Sequence, residues 1–294
     1  MGSDHARSLK QAVAERRALL VPGVMNALAA RVADDMGFEA LYVTGAGVTN
    51  AYLGLPDVAF LTLTQLADHV AAIRNITDKP LLVDGDTGFG NAVNVWHTVR
   101  TLEQAGASAI QLEDQDFPKR CGHFDGKSVI TAAEMEQKVR SAVDARRDEN
   151  LQIIARTDAY AIHGLDAAVE RAERYVAAGA DIVFVEAPKR PEEIGEIVRR
   201  VSAPHLVNMV IGGKTPPMSY EDLSAAGAAI VLYANASLQG AILGMQTALG
   251  QLRTTKVISE ADGVVAPFSE RQRLVGKDLV DEMDTRYGVA ADAS

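Results

Sequence analysis

Four stretches of the chain repeat one pattern: apolar residues at helical spacing, a glycine stop, then a short unbroken apolar run. The stops are Met36-Gly37-Phe38-Glu39, Ala105-Gly106-Ala107, Ala178-Gly179-Ala180 and Ala226-Gly227-Ala228, and the apolar runs behind them are 40–43, 109–112, 182–185 and 230–233. Glycine just past a helix takes the left-handed conformation that ends it. A brief run that is apolar throughout then reads as a parallel strand buried on both faces. Runs at 19–21, 81–83, 152–155 and 206–207 fit the same description, which brings the predicted strands to eight. Helical spacing predicts helices at 25–36, 64–75, 92–105, 132–147, 166–178, 191–201, 219–226 and 236–250.

Eight strand–helix units in 294 residues predict a closed (β/α)8 barrel over 1–252. An open doubly wound sheet shares the alternation, but it more often carries a glycine-rich phosphate fingerprint after its first strand. None follows residue 21. Residues 253–294 lie beyond the eighth unit and read as a helical appendage, with a charged helix near 269–286.

Composition narrows the function class. Nearly half the residues are apolar (48%), aromatics are few (5%) and the formal charge is −10, with no basic block, so a nucleic-acid partner is not expected. That acidic background does not attract an anionic substrate; local Arg, Lys or metal has to overcome it. The single cysteine excludes an internal disulfide, and Met1-Gly2-Ser3-Asp4-His5 lacks the apolar core of a signal peptide. No apolar run reaches membrane-spanning length. The expectation is a soluble, cytoplasmic protein.

The predicted strands end in an unusual polar load: Thr44-Gly45-Ala46, Asp84 and Asp86, Glu113-Asp114, Arg156-Thr157-Asp158, Glu186, Asn208, and Tyr233 with Asn235. In a barrel these ends converge on one mouth, where active sites form. Each residue alone has a plainer use as a helix cap, turn former or ion pair. Together at equivalent strand ends they point to a site. Asp84 and Asp86 share a direction if their strand runs on to residue 86, and oxygen-only ligands suit magnesium or manganese better than zinc. Between the fourth strand and the next helix stands Lys119-Arg120-Cys121-Gly122-His123. Nearby positive charge favours thiolate, so Cys121 is a candidate acid, base or nucleophile. With Gly122 and Gly126, residues 115–127 read as a lid.

These residues resemble the isocitrate lyase/phosphoenolpyruvate mutase superfamily. The likeness rests on Lys119-Arg120-Cys121-Gly122-His123, Asp84-Gly85-Asp86-Thr87-Gly88-Phe89-Gly90, Gly54-Leu55-Pro56-Asp57 and Ala155-Arg156-Thr157-Asp158-Ala159, and it spans nearly the whole chain. It implies a (β/α)8 barrel whose eighth helix is exchanged with a neighbouring subunit, hence a homodimer or homotetramer. It implies magnesium held directly by Asp84 and through water by Asp57, Asp86 and Glu113, with manganese as an alternative. It implies catalytic roles for Cys121, Tyr42, Lys119, His123, Arg156 and Glu186, and substrate binding by Thr44, Gly45, Ala46, Gly122, Arg156 and Asn208. Thr44 stands where the family has Ser.

Within that superfamily the cysteine motif marks lyases that split a carbon–carbon bond. The resemblance therefore implies a lyase that cleaves a 2-hydroxy di- or tricarboxylate to a 2-oxo acid and a second carboxylic acid, with Cys121 protonating the carbanion. Asn208-Met209-Val210-Ile211-Gly212-Gly213-Lys214-Thr215-Pro216-Pro217 looks more like the dimethylmalate and alkylmalate branch than the methylisocitrate branch. Gln239, where tricarboxylate lyases tend to place an arginine, agrees. A mutase-type isomerase and a non-catalytic binding barrel are the competing readings.

Overall fold

The computed structural model describes residues 3–119, 126–213, 215 and 217–288. Residues 1–238 and 239–294 form two compact units, so the division falls inside the helix Ala236–Thr255.

The first unit holds eight strands: β1 Leu19–Val24, β2 Leu41–Val43, β3 Leu81–Asp84, β4 Ala109–Glu113, β5 Gln152–Thr157, β6 Ile182–Val185, β7 Leu206–Asn208 and β8 Ile230–Tyr233. Every pairing is parallel, in the order β6-β5-β4-β3-β2-β1-β8-β7. The free edges of β6 and β7 meet through a parallel bridge between Val183 and His205, with Val183 N donating to Pro204 O at 3.0 Å, so the sheet curls into a barrel nearly closed on itself. All residues of β3, β4, β5 and β6 are buried, which is why these strands read as continuous apolar runs.

The side-chain period of two splits each strand between two cores. Tyr42, Leu82, Ala109, Ile154, Ile182, Phe184, Ile230 and Leu232 pack with one another in the barrel interior. Their neighbours Leu41, Val43, Leu81, Val83, Ile110, Leu112 and Ile153 pack outward against the helices. The helices start where capping chemistry dictates. Thr62 with Gln65, Asn91 with Asn94 and Thr131 with Glu134 form capping boxes. The four glycines read as helix stops, Gly37, Gly106, Gly179 and Gly227, all have positive φ.

The structure departs from the sequence reading at several points, among them the short helices Gly45–Val48, Thr49–Leu53 and Tyr160–His163 at the barrel mouth. That reading passed over the amphipathic helix Asp4–Ala14, which precedes the first strand and is capped by Ser3. The strand carrying Asp84 stops at that residue instead of continuing to Asp86, whose φ is 50°. In the second unit, the single charged helix expected near 269–286 is two, Phe268–Leu274 and Lys277–Tyr287, because Gly276 (φ 72°) breaks it. Among the described residues no helix is long and apolar enough to cross a membrane.

Candidate active site

The inward set of each strand continues past the apolar interior into polar residues at the carboxyl end. Tyr42 leads to Thr44, Leu82 to Asp84, Ala109 to Gln111 and Glu113, Ile154 to Arg156, Phe184 to Glu186, and Leu206 to Asn208. Parity therefore separates Glu113 from its neighbour Asp114. Asp114 faces the helical shell, where Tyr175 OH and Arg171 Nη1 donate to its Oδ2 at 2.8 and 3.0 Å.

Asp84 is held by N–H donors on both oxygens. Gly45 N donates to Oδ2 at 3.2 Å, while Asp86 N and Gln111 Nε2 donate to Oδ1 at 3.2 and 3.0 Å. The turn through Asp86 is what brings its own amide back onto Asp84. A β-carbon on Gly45 would lie 3.1 Å from Asp84 Oδ2 and 3.2 Å from Asp86 Oδ1, so glycine keeps the space beside the two carboxylates clear. Gln111 also accepts from Tyr42 OH at 2.7 Å, which links the phenol to Asp84 through one amide. Burial, reinforced by the charge of Asp84, raises the Tyr42 phenol well above its ordinary value, so it stays protonated.

Lys119 reaches into this cluster from beyond β4. Its ammonium lies 2.5 Å from Asp57 Oδ1 and 2.8 Å from Asp86 Oδ1, and its side chain is almost fully buried. Burial works against the charge on Lys119, but Asp86, Asp57, Glu113 and Asp84 outweigh it and hold the lysine protonated. Burial pushes the Asp86 carboxyl up to about 7, with Lys119 opposing and the charges of Asp84 and Asp57 adding.

On the other side of the mouth stands Arg156. Burial opposes its charge, yet Asp158, Glu113 and Glu186 keep it firmly cationic. It grips Asp158 with two N–H groups, at 2.9 Å (Nε–Oδ2) and 3.1 Å (Nη2–Oδ1). Glu113 Oε2 lies 3.3 Å from Nη1, Glu186 Oε2 lies 3.8 Å from Nε, and the guanidinium covers the Phe184 ring at 5.2 Å. Burial drives the Glu113 carboxyl well above its usual range, against the pull of Arg156. Glu186 is thus the most distant of the three carboxylates, and Asp158 is the main partner.

A cavity of about 50 Å³, enough for several waters, is lined by Tyr42, Thr44, Ala46, Asp57, Asp84, Lys119, Arg156, Glu186 and Asn208. Glu113 Oε1 and Asn208 Oδ1 are buried without a hydrogen-bond partner among the described residues. Asn235 and Thr44 complete the rim, their side-chain oxygens 3.4 Å apart. Among the described residues no three His, Cys, Asp or Glu converge as a direct metal cage. The oxygen donors and the clear space at Gly45 fit a hard cation that takes one carboxylate directly and completes its shell with water.

Of the site residues expected from sequence, Tyr42, Thr44, Ala46, Asp57, Asp84, Lys119, Arg156, Glu186 and Asn208 line this cavity, and Gly45, Asp86 and Glu113 contact them. Cys121, Gly122 and His123 lie outside the described residues, as does the middle of the expected lid, 120–125. The base of that segment is paired: Gln115 bridges Val129 antiparallel, and Asp116 N donates to Ser128 O at 2.9 Å. Sequence reasoning placed Asp158 in the strand-end ring without giving it a role, and missed Gln111 altogether. Gln111 lies two positions before Glu113 on β4, so the strand period was the available signal.

The chain matches the model of a family described as phosphoenolpyruvate phosphomutase over residues 9–253. It is 38% identical to a 2,3-dimethylmalate lyase of Eubacterium barkeri over 282 residues, covering 96% of this chain and 98% of that protein. It is 45% identical to a 2-methylisocitrate lyase of Aeropyrum pernix over 244 residues, 83% of this chain and 78% of the other. Among solved structures it superposes on oxaloacetate acetylhydrolase in complex with 3,3-difluorooxalacetate with a TM-score of 0.92, at 32% identity and 99% coverage of both chains. Phosphonopyruvate hydrolase in complex with oxalate and Mg++ superposes with a TM-score of 0.87, at 29% identity, covering 98% of this chain and 99% of that one.

Proposed function

The chain belongs to the phosphoenolpyruvate phosphomutase family, and on that footing we propose that it is a carbon–carbon lyase. Its substrate is a 2-hydroxy di- or tricarboxylate of the alkylmalate, dimethylmalate or methylisocitrate type, released as a 2-oxo acid and a second carboxylic acid. The observation that carries this reading is the Asp84 carboxylate, fixed by Gly45 N, Asp86 N and Gln111 Nε2, which lines one cavity at the barrel mouth together with Arg156. The named lyase relatives and the magnesium in phosphonopyruvate hydrolase support it.

Asp84 would hold Mg2+ directly, with Asp57, Asp86 and Glu113 reaching it through water. The cation, when bound, neutralises negative charge developing at the 2-oxygen of the substrate. Arg156, with Asn208 and the Thr44 hydroxyl, fixes a carboxylate end. The Gly45 and Ala46 backbone borders the 2-oxo-acid end. Tyr42 stays protonated and donates. Glu186 helps hold Arg156 in place. Lys119 keeps Asp57 and Asp86 together, and precedes Cys121, the acid for the carbanion, in whose support His123 and Gly122 stand. Exposed Ile242, Met245, Leu249 and Leu252 on Ala236–Thr255 support assembly as a homodimer or homotetramer through exchange of this helix. A cytoplasmic location suits the chemistry.

Incubation with dimethylmalate, 2-alkylmalates, methylisocitrate, isocitrate and oxaloacetate, with Mg2+ or with EDTA, tests the reading. Magnesium-dependent release of a 2-oxo acid from an alkylmalate or methylisocitrate is expected. Release of oxalate from oxaloacetate alone would make it a hydrolase. The family description favours one further reading, a phosphoenolpyruvate isomerase, and a carbon–phosphorus signal by phosphorus NMR would establish that instead. Cys121→Ser should lose turnover by ~100-fold or more while substrate and magnesium binding hold, since an alcohol is a far weaker acid than a thiol. Cleavage near the parent rate would assign the proton to another group.

A further inference from the structure

Arg156 is the cation best placed to meet a carboxylate of the ligand, yet carboxylates from three strand ends surround it. What sets its direction is Asp158, which takes Nε and Nη2 in a forked pair at 2.9 and 3.1 Å, closer than Glu113 or Glu186. Asp158 is fully buried and does not serve Arg156 alone. The same Oδ1 accepts from Lys127 Nζ at 2.7 Å, and the Lys127 side chain is only 2% exposed. Burial raises the Asp158 carboxyl, but Arg156 and Lys127 together bring it below its usual value, so it is ionised. Its backbone is fixed as well, since Asp158 N donates to Asp114 Oδ1 at 2.9 Å.

Lys127 changes the charge balance at the mouth. Arg156 faces Asp158, Glu113 and Glu186, and Lys127 faces Asp158. Lys127 takes up part of the Asp158 charge that would otherwise fall on Arg156, and so leaves more of the guanidinium charge for a ligand. Two cations on one buried carboxylate also hold that carboxylate where the fork needs it, because an ion leaving a buried pair forfeits its compensation.

We propose that Lys127 is a positioning residue. By sharing Asp158 it holds Arg156 in its inward pose and leaves the guanidinium charge available to the carboxylate of the ligand. This rests on the reading of the mouth as a 2-hydroxy-acid and 2-oxo-acid site. Lys127 stands outside the strand ends, 31 residues before Asp158, so no strand-end pattern points to it.

Calorimetric titration of the full chain with oxalate, in the presence of Mg2+, tests the assignment. Lys127→Met should weaken oxalate binding by ~10-fold, the scale of coupling between directly contacting charged groups. Lys127→Arg should restore it to within about threefold, which a merely structural loss would not predict. In an Arg156→Lys background, where the fork onto Asp158 cannot form, Lys127→Met should have little further effect. If Lys127→Met is recovered only unfolded, Lys127→Gln keeps a donor for Asp158 without the charge and carries the same comparison. Oxalate affinity unchanged in these variants, or a Lys127 loss that adds in full to that of Arg156→Lys, would overturn the proposal. Oxalate binding needs no turnover, so a parent that binds oxalate and cleaves no 2-hydroxy acid refutes the lyase reading alone. A parent that does not bind oxalate refutes both.

Discussion

At the scale of single residues, the site is a set of buried charges that hold one another in place. Asp84 keeps acceptor capacity facing the cavity while its donors fix its plane, which is the arrangement a hard cation needs from one direct ligand. Asp84→Ala should therefore lose magnesium affinity by ~100-fold or more, beyond the 10–100-fold usual for outer groups, whereas Asp57→Ala and Glu113→Ala should fall within that range. Unchanged affinity in Asp84→Ala by calorimetry would remove it as the ligand. Asp86 supplies a pH signature. With its carboxyl pushed up to about 7, it is neutral below that pH and a carboxylate above it. Magnesium affinity should rise by up to ~10-fold between about pH 6 and pH 8, as the competing proton leaves. Asp86→Asn should flatten this profile; a variant that keeps the full slope would show that another group titrates.

At the scale of elements, the barrel ties neighbouring strand ends to one another and to the helical shell. Asp114, the outward neighbour of Glu113, is the tie between β4, β5 and Leu165–Ala177. It accepts from Thr157 Oγ1 at 2.7 Å, Asp158 N at 2.9 Å, Tyr175 OH at 2.8 Å and Arg171 Nη1 at 3.0 Å. Removing a fully buried carboxylate strands the Thr157, Tyr175 and Asp158 N donors and takes from the Arg171 guanidinium its carboxylate partner, leaving it Ile130 O and the Tyr175 hydroxyl. Asp114→Ala should cost about 3–5 kcal/mol, seen as a fall in the urea midpoint at unchanged slope. A loss below about 1 kcal/mol would mean that water satisfies the donors. Because Asp158 N is among them, activity should fall together with stability.

At the scale of the whole molecule, the net charge of −10 gives no help to an anionic ligand, and the positive charge that receives it is concentrated in Arg156 and Lys119 at the mouth. Assembly belongs to this scale too. Met245 and Leu249 lie four residues apart on Ala236–Thr255, on the same helix face as Ile242 and Leu252. Met245→Lys combined with Leu249→Lys should lower the solution mass by light scattering. An unchanged multimer, or a parent already monomeric, would argue against helix exchange.

Most strands and helices and the polar strand ends were legible in the residues alone. Strand identity, helix stops and the polar ends depend on residues a few positions apart, and the periods of two and 3.6 are local properties of the backbone. The same locality explains why the N-terminal helix, the end of β3 at Asp84 and the break at Gly276 were missed: each turns on a single cap or a residue with positive φ. Which side chains pair depended on the folded barrel. Lys119 meets Asp57 across 62 residues, Lys127 meets Asp158 across 31, and Gln111 joins Tyr42 to Asp84. Those partners come from different strands and loops, so their distances exist only once the sheet has curled and set the register of each strand end against the next.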